Sequence, residues 1–395
     1  MQWTKTKLGD FAPFVYGKGL PQAKRTGGEV PVYGSNGIVG AHSQAFVQEP
    51  AVIIGRKGSV GEVHLAAGPS WPIDTAFFAL GSETVNLHFL YYLLKTLPIT
   101  SNSDSAVPGL NREFAHSLEI SVPDMKGQIA ISSILFSLDQ KIEANNALSN
   151  TLEDIAQTIF KSWFIDFDPV KAKMAGEKPA GMDAATAALF PNSMAESELG
   201  LIPKGWMVSN LESISSVKFG APFASKLFNT LKVGQPLIRI RDLKKQSIST
   251  WSPENHPKGF LVSGGELLVG MDGEFNPTIW FGEDALVNQR ICKIEPKDFV
   301  SNFFLYFTLV PIMRKIEHGS TGSTVIHLGK TDIDAIKISV PPRELLSAFK
   351  SLVEPLLKQM VSLNVQVRVL QEARDALLPR LISGDLQIPD EMLAS

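Results

Sequence analysis

One cysteine, Cys292, is all that the 395 residues contain. A lone thiol excludes an intrachain disulfide and any Cys-rich zinc centre, and it fits a reducing, cytosolic compartment. Long apolar runs are missing as well. The longest, Phe303–Val310 closed by Pro311, falls far short of the roughly 18 residues a membrane span needs. Met1–Asp10 has no apolar core of the kind a secretory signal carries, so neither a leader nor a membrane partner is expected. An excess of one charge is also absent. The formal net charge is −3, with 44% hydrophobic and 19% charged residues, which describes packed, water-soluble globules and excludes wholesale disorder or fibre.

Catalytic signatures fail in turn. There is no GxxxxGK[ST], and Gly55–Gly61 is a glycine-punctuated loop without P-loop order. There is no HExxH, no GxSxG elbow and no metal-spaced histidine pair; the seven histidines are scattered. Asn276-Pro277-Thr278-Ile279-Trp280 faintly resembles the Asn-Pro-Pro-aromatic loop of adenine methyltransferases, but no glycine-rich cofactor loop accompanies it. The expectation is a chain that is not an enzyme and holds no metal and no cofactor of its own.

What is present is one unit written twice. Ser121-Val122-Pro123 recurs as Ser339-Val340-Pro341, and the same spacing pairs Leu110 with Leu328, Leu138 with Leu356 and Leu152 with Leu370. Further upstream Gly55-Arg56-Lys57-Gly58 matches Gly270-Met271-Asp272-Gly273, Phe89-Leu90-Tyr91 matches Phe304-Leu305-Tyr306, and Trp3, Leu8 and Gly17 match Trp206, Leu211 and Gly220. Self-similarity at this range marks a duplicated architecture, and the drift in spacing marks loop insertions in the second copy.

Each copy has a globular front and a helical back. The fronts alternate short β-branched or aromatic runs (Ala51–Ile54, Leu267–Val269, Ile336–Val340) with clusters of Gly, Pro, Asn and Ser, as small strand-rich mixed domains do. Leu87–Leu97 and Asn302–Ile316 read as helices within them. Behind Pro123, apolar residues fall at Leu135, Leu138, Ile142, Leu148, Leu152, Ile155 and Ile159. Behind Pro341 they fall at Phe349, Val353, Leu356, Met360, Leu363, Val367, Leu370 and Leu377. Steps of three and four over four to five heptads predict coiled-coil helices, each opened by its proline at the first helical position. Pro355 predicts a kink in the second helix. Asn145 interrupts the first seam, either as a solvated edge or as a register-setting polar contact.

The fold class expected is α+β: two similar mixed domains and an antiparallel pair of long helices, related by an internal pseudo-twofold repeat. The predicted boundaries are 1–122 for the first front domain, 123–165 for the central helix, 166–200 for a connector, 201–340 for the second front domain, 341–383 for the C-terminal helix and 384–395 for a tail. A connector of about 35 residues can run the length of a helix and let the copies lie reversed, giving a dumbbell with a spacer of roughly 60 Å. Basic and acidic residues number nine and nine in 1–122, sixteen and thirteen in 201–341, and twelve and eighteen elsewhere.

Both fronts place planar or amide side chains in their loops. The first offers Lys18, Lys24, Arg25, Tyr33, Ser35, Asn36, Arg56, Lys57 and Ser59; the second offers Arg239, Arg241, Lys244, Lys245, Asn276, Asn288, Gln289 and Arg290. Arg matches guanine and Asn or Gln adenine, while Lys and backbone amides hold phosphates. For any one of these residues taken singly, an ordinary solvated surface role is the better reading. The set makes double-stranded DNA the candidate ligand, with a non-catalytic scaffold for protein or carbohydrate as the alternative and a self-sufficient methyltransferase as a third class.

Three stretches carry a family resemblance. Phe160-Lys161-Ser162-Trp163-Phe164-Ile165-Asp166-Phe167-Asp168-Pro169-Val170, Gly200-Leu201-Ile202-Pro203-Lys204-Gly205-Trp206 and Leu378-Pro379-Arg380-Leu381-Ile382-Ser383-Gly384-Asp385-Leu386 resemble the specificity subunit of type I restriction-modification systems over nearly the whole chain. The resemblance implies that each front is a target recognition domain reading one half of a split, asymmetric DNA sequence, with the helices fixing the gap. It implies a non-catalytic chain docked by two modification subunits that carry S-adenosylmethionine and methylate adenine. Restriction subunits would add ATP- and Mg-dependent translocation and cleavage. The recognition loops diverge within the family, so no base-contacting residue is carried over. Met271-Asp272 in place of Arg56-Lys57 implies different phosphate contacts in the two halves.

Overall fold

The computed structural model describes residues 1–99, 109–319 and 327–389. The chain divides into two compact units, Met1–Ile142 with Val369–Ser395, and Glu143–Arg368. Within the first, an antiparallel four-stranded sheet has the order Val15–Tyr16, Ala76–Leu80, Ala51–Gly55, Val63–Ala66. A three-stranded sheet places Val30–Gly34 between Gly37–His42 and Trp71–Pro72, the latter pair running parallel. Ala51–Gly55 is buried at every position, so the uninterrupted run AVIIG is the mark of a strand covered on both faces. Helix Leu87–Thr96 closes over this core, its first turn capped by Asn86, which accepts from the Phe89 N–H at 2.9 Å.

The second unit repeats this plan. Ser215–Phe219, Ile291–Pro296, Leu267–Gly270 and Pro277–Ile279 form the matching antiparallel sheet. Gln235–Ile238 and Ala285–Val287 form the matching parallel pair, extended by Trp251–Ser252 and an added edge strand, Leu261–Val262. Helix Asn302–Gly319 continues through Pro311, so that proline ends the apolar run and not the helix.

The duplication reaches single hydrogen bonds. Leu8 donates to the Leu118 carbonyl and Leu211 to Ile336; Gly17 donates to Ala76 and Gly220 to Ile291; Leu110 donates to Arg56 and Leu328 to Met271. Trp3–Lys7 pairs with Glu119–Pro123 as Met207–Asn210 pairs with Lys337–Val340. A β-carbon on Gly17 would lie 2.1 Å from the Ile73 carbonyl oxygen, and one on Gly220 2.1 Å from that of Asn288. Only glycine admits this close backbone approach, in both copies.

The long helices are Met125–Phe160, followed by one π-helical turn at Lys161–Ile165, and Arg343–Ser383. Their starts correct the sequence reading. Pro123 ends a strand, and Asp124 caps the helix by accepting from Gly127 at 3.0 Å. Pro341 likewise precedes its helix, whose first N–H donors reach the Pro342 carbonyl. A residue without an N–H stops a ladder as readily as it opens a helix. The second helix is unbroken at Pro355, which lies on an exposed face.

The buried seam also differs from the predicted one. Leu135, Ile142 and Leu152 are buried, with Leu138 and Ile159 half-buried, but Leu148 and Ile155 are 41% and 43% exposed. Asn145, Ser149, Ala156 and Phe160 take the inward positions instead. Apolar spacing alone could not show this, because the stripe passes through polar and small residues. On the second helix Val353, Met360, Leu363 and Val367 are buried, Leu356 yields the deeper place to Leu357, and Leu370 and Leu377 are half-buried. Asn145 is 2% exposed and its amide donates to Gln366 at 3.3 Å, while the Asn364 amide donates to Ser149 at 3.3 Å. The numbering falls on one helix as it rises on the other, so the pair is antiparallel, and Asn145 is a buried polar contact, not a solvated edge. In the first unit Asp139 meets Arg374 at 2.7 Å in the same sense.

The connector 166–200 is not bare chain: it carries helices Asp168–Met174 and Ala184–Ala188, and Met194–Ser197 pairs with Gly200–Pro203. Val170 and Phe190 from it enter the core of the second unit.

Candidate nucleic-acid interface

The second domain gathers most of its predicted residues onto one concave surface. A hollow of ≈ 500 Å³ is lined by Arg239, Arg241, Asn288, Gln289 and Arg290 together with Phe223 and Phe228. A neighbouring hollow of ≈ 400 Å³ shares Ile240 and Arg241 and adds Lys244, Asp272, Glu274 and Asn276. Arg241, Lys244, Lys245, Asn276, Gln289 and Arg290 are exposed; Lys245 lines neither hollow. The short helix Ile240–Leu243 fixes the arginines, because the buried Asp242 carboxylate accepts from the Arg239 backbone N–H at 2.9 Å.

Not every member is free to meet a ligand. Arg239 donates to Ser249 at 3.0 Å, and burial with the neighbouring Arg241 charge lowers its pKa. Asn288 is buried, and its backbone joins Ile238 and Ile291. Arg290 pairs with Asp272, whose other oxygen meets His327 Nδ1 at 2.7 Å. Asn276 donates to Glu274 at 3.2 Å. The methyltransferase-like pentapeptide is structural: Pro277–Ile279 is a strand and Trp280 is fully buried, donating from Nε1 to the Glu283 carbonyl.

The first domain brings its turn and its glycine loop together. A β-carbon on Gly55 would meet the carbonyls of Ser59 and Ser35, and one on Gly58, at φ +80°, would face the Ser35 hydroxyl. Ser35, Asn36, Arg56, Lys57 and Ser59 therefore share one loop cluster, with Asn36 and Lys57 exposed. Arg25 is committed to the Val39 carbonyl at 2.7 Å and to that of Leu20. Tyr33 is buried in a core and its pKa is raised by that burial. Lys18 lies 5.7 Å from the Phe46 ring and 5.8 Å from the Trp71 ring, and Lys24 is exposed on a 3₁₀ turn.

Two residues escaped the sequence reading. Tyr16 is 45% exposed, and the Arg56 and Arg112 guanidiniums each lie 4.9 Å from its ring centre. Arg112 follows the cap residue Asn111, which accepts from Glu113 and Phe114. The backbone contact of Lys57 with Gly109, matched by that of Asp272 with His327, brings residue 112 beside residue 56, and no spacing in the sequence marks it.

The three family stretches are framework. Phe164 and Phe167 pack on Trp206 with ring centres 5.9 and 5.5 Å apart, and Phe160, Trp163 and Phe190 complete the aromatic cluster. In the first unit Leu381 and Ile382 are buried, and Gly384 lies against Trp3. Among the described residues no group of His, Cys, Asp and Glu could hold a metal ion, and no helix is long and apolar enough to cross a membrane. Cys292 is buried, its thiol pushed up to about 12 by desolvation.

The sequence model described as "Type I restriction modification DNA specificity domain" matches residues 1–154 and again 203–345. The chain belongs to this family. Its specificity domains have relatives in the HindI specificity subunit of Haemophilus influenzae, 27% identical over 73% of each chain, and in the MjaIX specificity subunit of Methanocaldococcus jannaschii, 25% identical over 86% of this chain and 78% of that one. The EcoBI specificity subunit of Escherichia coli is 34% identical over 48% of this chain and 41% of its own. The solved specificity subunit of M. genitalium shares the fold, with a TM-score of 0.64 at 17% identity, over 98% of this chain and 97% of that one. Specificity subunits are non-catalytic, and the scaffold reading finds no support.

Proposed function

We propose that each domain reads one half of a bipartite, asymmetric DNA target and that the antiparallel helices set the unread gap between the halves. The observation that carries this is the duplication: matched backbone hydrogen bonds frame loops whose side chains diverge, with Arg56 and Lys57 standing where the second copy has Met271 and Asp272. A shared framework with divergent loops is what two readers of different half-sites require. The second domain would read through the surface around Arg241, Lys244, Asn276, Gln289 and Arg290, the first through Ser35, Asn36, Lys57 and Ser59. The near-neutral domains fit an assembly that spreads its phosphate contacts over several subunits.

In this reading the chain works in the cytoplasm with two modification subunits and with restriction subunits. S-adenosylmethionine, ATP and Mg belong to those partners. Co-expression with the candidate modification subunit, followed by single-molecule sequencing of host DNA, tests it. A split methylated motif with a constant gap is expected. A stable, active complex that leaves no such motif overturns the reading.

A further inference from the structure

The phenol ring of Tyr16 carries two cations that, among the described residues, form no ion pair. Arg56 and Arg112 each place the guanidinium carbon 4.9 Å from the ring centre, so the two lie no farther apart than twice that distance. That separation is comparable to the screening length of about 8 Å at physiological ionic strength, and the like charges repel. Among the described residues neither arginine is within ion-pair distance of a carboxylate. Arg56 uses one amino group on the Asp74 backbone carbonyl at 2.9 Å, which fixes its position without neutralising it. Attraction to the ring face offsets part of the repulsion, and the rest awaits an anion.

The second copy has no such pair. Matching positions carry Phe219, Met271 and Lys330. Met271 is buried, and Lys330 is tied to Asp334 at 2.6 Å. The adjoining Asp272 adds a negative charge, which Arg290 and His327 meet.

We propose that Arg56 and Arg112, set by Tyr16, clamp a backbone phosphate of DNA beside the half-site read by the first domain. Two guanidinium forks can each give paired hydrogen bonds to the non-bridging oxygens of one phosphodiester, a geometry that a lysine lacks. The contact carries no sequence information; it fixes register and makes the first half of the interface more salt-dependent than the second. The inference rests on the DNA-recognition reading above, and it names a contact that the reading does not require.

The test uses the specificity chain assembled with its modification subunits and a duplex carrying the mapped target. Affinity is measured across a salt series for the unchanged complex and for Arg112→Gln, Arg112→Lys and Lys330→Gln. Arg112→Gln is expected to bind about tenfold more weakly at low salt, with a salt slope shallower by about one, and to keep the same target sequence. Arg112→Lys should restore the slope but only part of the affinity, and Lys330→Gln should change either by much less. A series of duplexes, each with one neutral methylphosphonate, should reveal a position beside the first half-site that weakens the unchanged complex and not Arg112→Gln. An unchanged slope, or no such position, overturns the clamp while leaving the recognition reading intact. Impaired assembly of Arg112→Gln with an unchanged DNA slope also overturns it, assigning the arginines to a carboxylate of a partner subunit. If the unchanged complex binds no split target, the recognition reading falls and the clamp with it.

Discussion

The two recognition domains agree in backbone and disagree in charge. Residues spaced as the sequence repeat predicts make the same main-chain hydrogen bonds, from Leu8 and Leu211 at one edge to Leu110 and Leu328 beside the glycine loop. Yet where the first domain sets two arginines around Tyr16 with no ion pair among the described residues, the second has a buried methionine and an acid that ties Arg290 and His327 together. The backbone contacts are set by close packing and cannot drift without cost, whereas exposed loop side chains are free to change. Duplication therefore conserves the frame and releases the chemistry.

The largest test of that comparison lies in the frame. Alanine at Gly17 or Gly220 would drive its β-carbon into a backbone carbonyl 2.1 Å away. Each should cost about 2–3 kcal/mol, seen as reduced thermal stability of the complex, and nearly equal losses at the two sites would show that the frame is shared. Strongly unequal losses would break the equivalence.

Arg241→Ala probes the divergent chemistry. Arg241 is exposed and joins both hollows of the second domain. If it grips a guanine, its loss should cost about 1–3 kcal/mol of discrimination at one position of one half-site, read from binding to a panel of single-base variants. Equal loss in both half-sites would contradict separate readers.

A smaller effect is expected on the helices. Asn145→Ala removes a buried hydrogen bond and should cost about 1 kcal/mol in denaturant unfolding, whereas Leu148→Ala, at an exposed position, should stay within about 0.5 kcal/mol. The reverse order would restore the seam drawn from apolar spacing.

The smallest contrast is a carboxylate in each unit. Asp139 accepts from Tyr92 at 2.6 Å and is neutralised by Arg374. Glu153 meets Tyr306 and, among the described residues, forms no ion pair, and desolvation outweighs that hydrogen bond and raises its pKa. Tyr306 is itself pushed up to about 12 by burial and by Glu153. The folded state then holds the Glu153 proton more tightly than the unfolded chain does. Stability from this group is present below the ordinary carboxylate value of 4.5 and is lost as pH rises through the raised one. Glu153→Gln should flatten that slope in pH-dependent unfolding; an unaltered slope would assign it to other carboxyls.

Much of the frame was legible because it is periodic or repeated. Ala51–Gly55, Leu267–Gly270 and both long helices lie where their apolar patterns place them. The seam was legible only in part. Ser149 and Ala156 turn inward where Leu148 and Ile155 do not, because an antiparallel partner decides which face is covered. The site was less legible still. Arg25, Tyr33 and Asn288 have the right chemistry for recognition, yet hydrogen bonds and burial hold them in the frame. Tyr16 and Arg112 passed unnoticed because they are 96 positions apart in the chain.

By itself the sequence determined the duplication, the α+β class, the long helices and the family, since these depend on spacing and on motif residues that local pattern preserves. The tertiary structure alone decided which strands pair, which polar residues line the helical seam and which arginines gather on one ring. Those properties belong to contacts between residues remote in the chain, where exposure and charge pairing are set by whatever the fold brings alongside.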